Sequence, residues 1–317
     1  MAERRNQVFY PSGFTELFNA WNRFPDSVPA AGATGLIRFQ ADQLLDLPQS
    51  IICLDHLDEL RKITRTERYL EIGAMVRLSE LEGLGKIVPE ALEKTIARIA
   101  SPQLRNIATM GGNICYPHRR LDISAPMIAL DAHYELRKAR GVRWVSASRF
   151  ALNPGPPAID KQELLTRIRI PLDRWDYSVF RKIENSGAYG NNTVMIFIIK
   201  TQKNVLADVR LVFSAASILR DRNSESFLTG KHLPLSRRDA LEFIEHWRTF
   251  LAAVHKPEYS AADRAAAEVS QHEAPETLQH GMSETSFGTP LYGTPQELFT
   301  KDKILNLIKK NILLLAD

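Results

Sequence analysis

Asn106-Ile107-Ala108-Thr109-Met110-Gly111-Gly112-Asn113-Ile114, with Asp122 nine residues beyond Asn113, is the stretch on which the reading of this 317-residue chain turns. Two adjacent glycines let the backbone approach a ligand closely, or take φ > 0, at little steric cost. Thr109 and Asn113 place a hydroxyl and an amide on either side of them, both hydrogen-bonding groups. Upstream, Pro89 to Ile99 predicts a helix: Pro89 suits its first turn, and Leu92, Ile96 and Ile99 form one apolar stripe. The glycine pair is thus expected in a loop delivered by a helix, with N–H groups exposed to cradle a phosphate. Taken alone, Gly-Gly reads more readily as a tight turn.

A second small-residue loop stands earlier in the chain. Pro29-Ala30-Ala31-Gly32-Ala33-Thr34-Gly35-Leu36 also carries a threonine among glycines. Neither loop has the lysine of a P-loop or the three spaced glycines of a dinucleotide fingerprint. Two such loops converging on one diphosphate is a different solution.

The combination resembles the FAD-binding (medium) subunit of molybdenum hydroxylases, the xanthine dehydrogenase and carbon monoxide dehydrogenase family. In that family a loop of the type Ala-Gly-Gly-Thr and a second of the type Ala-Thr-Ile-Gly-Gly-Asn-Ile grip the FAD pyrophosphate, with an Asp beyond. Ala108 to Ile114 nearly completes the second motif, and Asp122 stands at the family's spacing. The stretches Ala129–Leu136, Gly141–Arg143 to Phe150, and Glu163–Pro171 are also similar to the family. The first loop departs from it, with Ala33 where Gly is usual and Gly35 where Asp or Glu is usual. The likeness runs from Phe9 to about Leu235, with a weaker echo in the last helix.

The resemblance implies a cofactor site. Its members would be Pro29, Ala30, Ala31, Gly32, Ala33, Thr34, Gly35 and Leu36 of the first loop, and Ala108, Thr109, Gly111, Gly112 and Asn113 of the second. Thr109 and Asn113 would bond the phosphates or the ribityl chain, and Asp122 the hydroxyls of the cofactor's sugar portion. Leu165 would line the adenine pocket, Ile99 would pack near the cofactor, and Lys182 would lie near the FAD. Read from the residues alone, Asp122 is also a helix N-cap candidate, and Lys182 a solvated lysine at a strand end.

The implied fold is α+β: an FAD-binding lobe over 1–172, in two subdomains (about 1–55 and 56–172) of the vanillyl-alcohol-oxidase/PCMH-like kind. A smaller lobe over 173–317, with a three-stranded antiparallel sheet and helices, would follow. Periodicity supplies the pieces. Ser12 is a candidate cap for a helix bearing Phe14, Leu17, Phe18 and Trp21, and strands are expected at Ile51–Leu54 and Tyr69–Val76. A short helix is expected at Leu78–Leu84, a hairpin at Tyr134–Arg137 and Val142–Val145, and a strand at Leu164–Ile170. Beyond Pro171 come strands at Tyr177–Ile183, Thr193–Lys200 and Ala207–Ser214, and helices at Arg237–Ala252 and Lys301–Ala316. The last helix carries Ile304, Ile308, Ile312 and Leu315 as one stripe. The polar stretch 255–293 reads as a partly mobile insertion.

Composition narrows the function. A net charge of +4 does not argue for nucleic acid. The apolar run Val194–Ile199 stops at Lys200, short of a membrane span, and Met1–Asn6 leads into no apolar leader, so the chain reads as cytoplasmic. Its two cysteines, Cys53 and Cys115, both read as buried thiols. An iron–sulfur cluster needs about four thiolates, so the chain cannot build one alone. There is no Gly-x-Ser-x-Gly elbow and no His-Glu-x-x-His pattern. His118, Arg119 and Arg120 form a basic spot that could assist the phosphates or face an acidic partner but reads most simply as a solvated loop, and His133 reads as structural. No catalytic acid–base pair and no metal site are expected.

The resemblance therefore implies an FAD-carrying electron-transfer subunit. Electrons would pass from a molybdopterin-binding large subunit, through an iron–sulfur small subunit with 2Fe–2S clusters, to this flavin and then to NAD+ or another acceptor. Two alternatives stay open: an FAD-less scaffold subunit of the same fold, suggested by Ala33 and Gly35, and a stand-alone flavin oxidase. The latter would want its own substrate lobe and often a covalent flavin linkage, for which no room or residue is evident.

Overall fold

The computed structural model describes residues 6–35, 47–117, 120–151, 157–183, 192–215, 217–254 and 295–316. Leu36, His118, Arg119 and the stretch 255–293 lie outside them. Contacts divide the chain into two compact units, one ending at Thr229 and one beginning at Gly230.

The first unit opens with strand β1 (Gln7–Phe9), helix α1 (Phe14–Arg23) and strands β2 (Val28–Ala30) and β3 (Ser50–Cys53). The strands form a parallel sheet in the order β1-β3-β2. Leu17, Phe18 and Trp21 of α1 are buried with Ile52, Leu54, Leu57, Leu60, Met75 and Leu164, which ties this sheet to the next layer. Gly13, not Ser12, is the N-cap of α1. Ser12 instead donates from its N–H and hydroxyl to the Glu16 carboxylate, both at 2.9 Å, so the helix start is held one residue later by the first-turn acid.

Next come β4 (Ile63–Arg65), β5 (Tyr69–Gly73), the short helices α2 (Leu78–Glu82), α3 (Glu90–Ile96), α4 (Pro102–Arg105), α5 (Met110–Ile114) and α6 (Ser124–Ala129), then β6 (His133–Lys138), β7 (Gly141–Ser146), α7 (Ala147–Ala151) and β8 (Leu164–Pro171). The strands make an antiparallel sheet in the order β4-β5-β8-β6-β7. Alternation sorts its faces: Leu70, Ile72, Tyr134, Leu136, Ile168 and Ile170 enter the core with the helices. Arg167 and Arg169 take the other face and pair with Glu71.

A second antiparallel sheet follows, β9 (Tyr177–Ile183), β10 (Thr193–Gln202), β11 (Val205–Ser214) and a two-residue β12 (Ile218–Leu219), in the order β12-β11-β10-β9. Lys203 and Asn204 turn the β10–β11 hairpin with φ of 50° and 61°, the left-handed pair that matches strand twist. Val194, Ile196, Ile198 and Val212 join the same core as α6 and the five-stranded sheet. Helix α8 (Arg222–Leu228) closes the unit, capped by Asp221.

In the second unit, α9 (Arg237–Ala253) is capped by Ser236 and buries Ala240, Phe243, Ile244, Trp247 and Leu251. Helix α10 (Pro295–Leu313) buries Ile304, Ile308 and Ile312. It starts earlier than the expected Lys301 and stops before Leu315, whose carbonyl instead accepts from the Leu235 N–H at 2.7 Å. Among the described residues no helix is long and apolar enough to cross a membrane.

Candidate functional site

The stretch around the glycine pair is delivered by a rigid frame. After α3 the chain turns through Ala100 at φ 47°, and Ser101 caps α4 with Pro102 in its first turn. The Arg105 side chain, 9% exposed, forms an ion pair with Glu82 at 2.9 Å. It also donates to the carbonyls of Ile99 (2.9 Å) and Ala100 (3.2 Å). A planar fork with several donors in fixed geometry suits that task.

The glycine pair itself differs from the expected open loop. Thr109 is the N-cap of α5, and its hydroxyl accepts from the Gly112 N–H at 3.1 Å, so both glycines lie in a helical first turn. The N–H groups of Met110, Gly111 and Asn113 reach the carbonyls of Val76, Ala74 and Thr109. These amides are therefore engaged within the protein rather than free for a phosphate. The demand for glycine comes from packing instead. A Cβ on Gly111 would sit 2.8 Å from the Ala74 Cβ, and one on Gly112 2.9 Å from the Thr109 hydroxyl.

The first loop leaves β2 and meets the second. A Cβ on Gly32 would lie 2.0 Å from the Ile107 carbonyl oxygen, and one on Gly35 2.9 Å from the Tyr116 ring. Only glycine at position 32 permits this approach, and it brings together the two loops singled out in the sequence. Ala33 stands at φ 53°, and Thr34 and Gly35 open a helical turn. Among the described residues the Gly32 and Ala33 N–H groups have no acceptor, and first-turn amides lack helical partners. The amides without an acceptor thus lie in the first loop.

One atom of the second loop also asks for a ligand. Asn113 Oδ1 is buried and has no hydrogen-bond partner among the described residues. Such a group costs about 1–3 kcal/mol unless something donates to it. Unspent amides in one loop and an unsatisfied amide oxygen in the other fit a ligand bearing both phosphate and hydroxyl groups.

Asp122 does not cap α6, whose N-cap is Ile123 without a side-chain bond. Its carboxylate pairs with Lys182 at 2.7 Å, with side chains 18% and 10% exposed. Lys182 also donates to the Arg98 carbonyl at 2.9 Å, so it is anchored in β9 rather than solvated at a strand end. Arg98 precedes Ile99, which is 9% exposed. An open cleft of about 430 Å³ is lined here by Arg98, Phe180, Arg181 and Lys182.

The remaining expected members are placed as follows. Pro29 and Ala30 pair with Ile52 and Cys53 of β3, Ala31 packs on the α1 core, and the Ala108 carbonyl accepts from the Leu78 N–H. Leu165 lies on β8 inside the main core, 2% exposed, and none of the described contacts joins it to the loops.

Arg120 departs from the solvated reading. It is 7% exposed, and its Nε donates to the Ala151 carbonyl at 3.3 Å. Burial lowers its pKa, while burial pushes the Cys115 thiol up to about 12 despite the Arg120 charge. Cys115 is therefore a thiol, not a thiolate, at neutral pH. Among the described residues no three His, Cys, Asp or Glu side chains gather as metal ligands. Arg105 and Ala74 were not legible as site-framing residues, because their roles rest on contacts with chain distant in sequence.

Three comparisons bear on this geometry. Residues 4–173 match the family model described as FAD binding domain in molybdopterin dehydrogenase. The xanthine dehydrogenase FAD-binding subunit of Escherichia coli O157:H7 is 33% identical over 150 residues, 46% of this chain and 51% of that one. The match thus spans about half the length of that relative. The nicotine 6-hydroxylase medium subunit of Paenarthrobacter nicotinovorans is 26% identical over 68% of this chain and 77% of its own. Among solved structures, quinoline 2-oxidoreductase from Pseudomonas putida 86 superposes with a TM-score of 0.70 at 19% identity, covering 98% of this chain and 95% of that one. The Cu,Mo-CO dehydrogenase superposes at 0.68 and 22% identity, over 84% of this chain and 93% of that one. At these identities the superpositions speak to fold.

Proposed function

The chain belongs to the family of FAD-binding domains in molybdopterin dehydrogenase, and from that premise we propose that it is the FAD-carrying electron-transfer subunit of a molybdenum hydroxylase. Electrons would arrive from the iron–sulfur centres of a partner subunit and leave for NAD+ or another acceptor. The observation that carries the reading is the abutment of the Gly32 loop on Ile107, together with a buried Asn113 Oδ1 that lacks a donor among the described residues. Bound FAD supplies the redox chemistry, accepting electrons and passing a hydride onward. The chain's own residues bind and orient. Gly32, Ala33 and the turn at Thr34 offer N–H groups to the diphosphate, and Asn113 accepts from a ligand hydroxyl. Asp122 and Lys182 hold each other in place, so that a carboxylate oxygen and an ammonium proton remain for the ligand.

Partners follow from what the chain lacks. Two cysteines cannot ligate an iron–sulfur cluster unaided, and relatives bear the names medium subunit and medium chain. The test is a visible spectrum of the purified protein, with release of its cofactor by denaturation, followed by co-purification from the native host. A flavin band, free FAD and a larger assembly are expected. A protein that stays colourless with added FAD would overturn the reading. One observation favours the FAD-less scaffold in that event: the amides of Met110, Gly111, Gly112 and Asn113 are already engaged, and Ala33 holds a glycine conformation.

A further inference from the structure

The first loop is held at two points, and only one of them is a backbone contact. At its start Gly32 meets the Ile107 carbonyl, ahead of the Thr109 cap of α5. At its end Gly35 meets the ring of Tyr116, just past α5. A Cβ on Gly35 would stand 2.9 Å from the Tyr116 Cε2 and 3.1 Å from its Cδ2. The two contacts therefore fall on either side of one short helix. That helix is itself fixed, because the Met110 and Gly111 N–H groups donate to the Val76 and Ala74 carbonyls, and the Cys115 N–H to Gly111. Between the contacts lie Ala33, at φ 53°, and Thr34. Tyr116 is half-buried and belongs to neither glycine motif.

We propose that Tyr116 is a positioning residue: its ring clamps the Gly35 end of the first loop and so fixes the direction of the loop's N–H groups. The use made of those groups rests on the flavin reading, whereas the clamp rests on the Gly35 contact. Residues 32–35 are Gly-Ala-Thr-Gly, with little side chain to pack and two glycines whose ordering is entropically costly. Gly32 on Ile107 pins one end only, and a loop pinned at one end can still rotate about it. A tyrosine ring is a rigid stop that loses few rotamers when placed. Glycine at position 35 is what lets that ring rest directly on backbone. Donors held in place before a ligand arrives bind it more tightly, because the ordering cost is already met.

The test uses the full chain and two readouts: FAD affinity from quenching of flavin fluorescence, and backbone order parameters from nitrogen-15 relaxation without FAD. Tyr116→Phe keeps the ring and is expected to match wild type in both. Tyr116→Ala is expected to lose about tenfold in FAD affinity. Its order parameters at residues 32–35 should fall from about 0.85 towards 0.6, with those of the strands unchanged. Gly35→Ala, which pushes the ring away, should weaken FAD binding in the wild-type chain and add nothing in Tyr116→Ala. A first loop that stays ordered in Tyr116→Ala would overturn the proposal, and a loss of FAD affinity in that case would put the ring on the ligand itself. A fall in order parameters throughout the chain would also overturn it, by making Tyr116 a core residue. So would additive losses from the two alanine variants, or a Tyr116→Phe chain that behaves like Tyr116→Ala. A wild-type chain that takes up no FAD fails the flavin reading, and the order parameters then decide the clamp alone.

Discussion

Ala33 holds φ 53° at the tip of the first loop, a conformation that costs an L-residue roughly 1–2 kcal/mol. Glycine would relieve that strain at some cost in unfolded-state entropy. Ala33→Gly is therefore expected to stabilise the chain by about 0.5–1 kcal/mol in denaturant unfolding, and to tighten FAD binding. A destabilised variant would refute the strain. Gly32→Ala acts in the opposite sense, because its Cβ would overlap the Ile107 carbonyl. Backbone must shift, and a loss of about 1–3 kcal/mol is expected by analogy with overpacked cores, together with loss of FAD uptake. Glu163 gives a pH handle. Burial opposes its charge, but the Arg143 guanidinium at 2.6 Å and the Asp160 N–H outweigh it, and its pKa lies below the ordinary value. The stability it contributes is thus complete above the unfolded-state pKa and fades as pH falls through the folded one. Unfolding midpoints measured in acid should decline less steeply for Glu163→Gln than for wild type.

At the scale of elements, Arg105 links α2, the turn after α3 and the approach to α5. Its loss leaves two carbonyls without a donor, although Glu82 can turn to water. Arg105→Met is expected to cost about 2 kcal/mol, the range for hydrogen bonds to a charged group, and to weaken FAD binding beyond what global stability explains. Equal FAD affinity would show that the frame does not position the loop. This frame marks the boundary of what the sequence disclosed. The Leu92 and Ile96 face of α3, the strands β10 and β11 and the helix α9 were legible because periodicity is local, although α3 ends at Ile96 and leaves Ile99 beyond it. The helical setting of Gly111 and Gly112 was not. It depends on Ala74 and Val76 accepting from α5, contacts that span more than thirty residues. For the same reason Asp122 looked like a cap, and its partner Lys182 on β9 could not be read from spacing.

For the whole molecule, every candidate site residue lies in the first unit, and the two cysteines are both there, Cys115 with its thiol pKa raised to about 12. Dithionite reduction of the isolated chain is expected to bleach a flavin spectrum with no iron–sulfur signal in electron paramagnetic resonance, and such a signal would show that a cluster is housed here after all. The abutment of Gly32 on Ile107 also sets an order of events during synthesis. The two loops of that junction emerge from the ribosome far apart in time, and neither alone makes the contact. Were FAD gripped across that junction, it would be captured only after the parallel sheet has docked, and cofactor loading would be a late checkpoint of maturation rather than a nucleus for it.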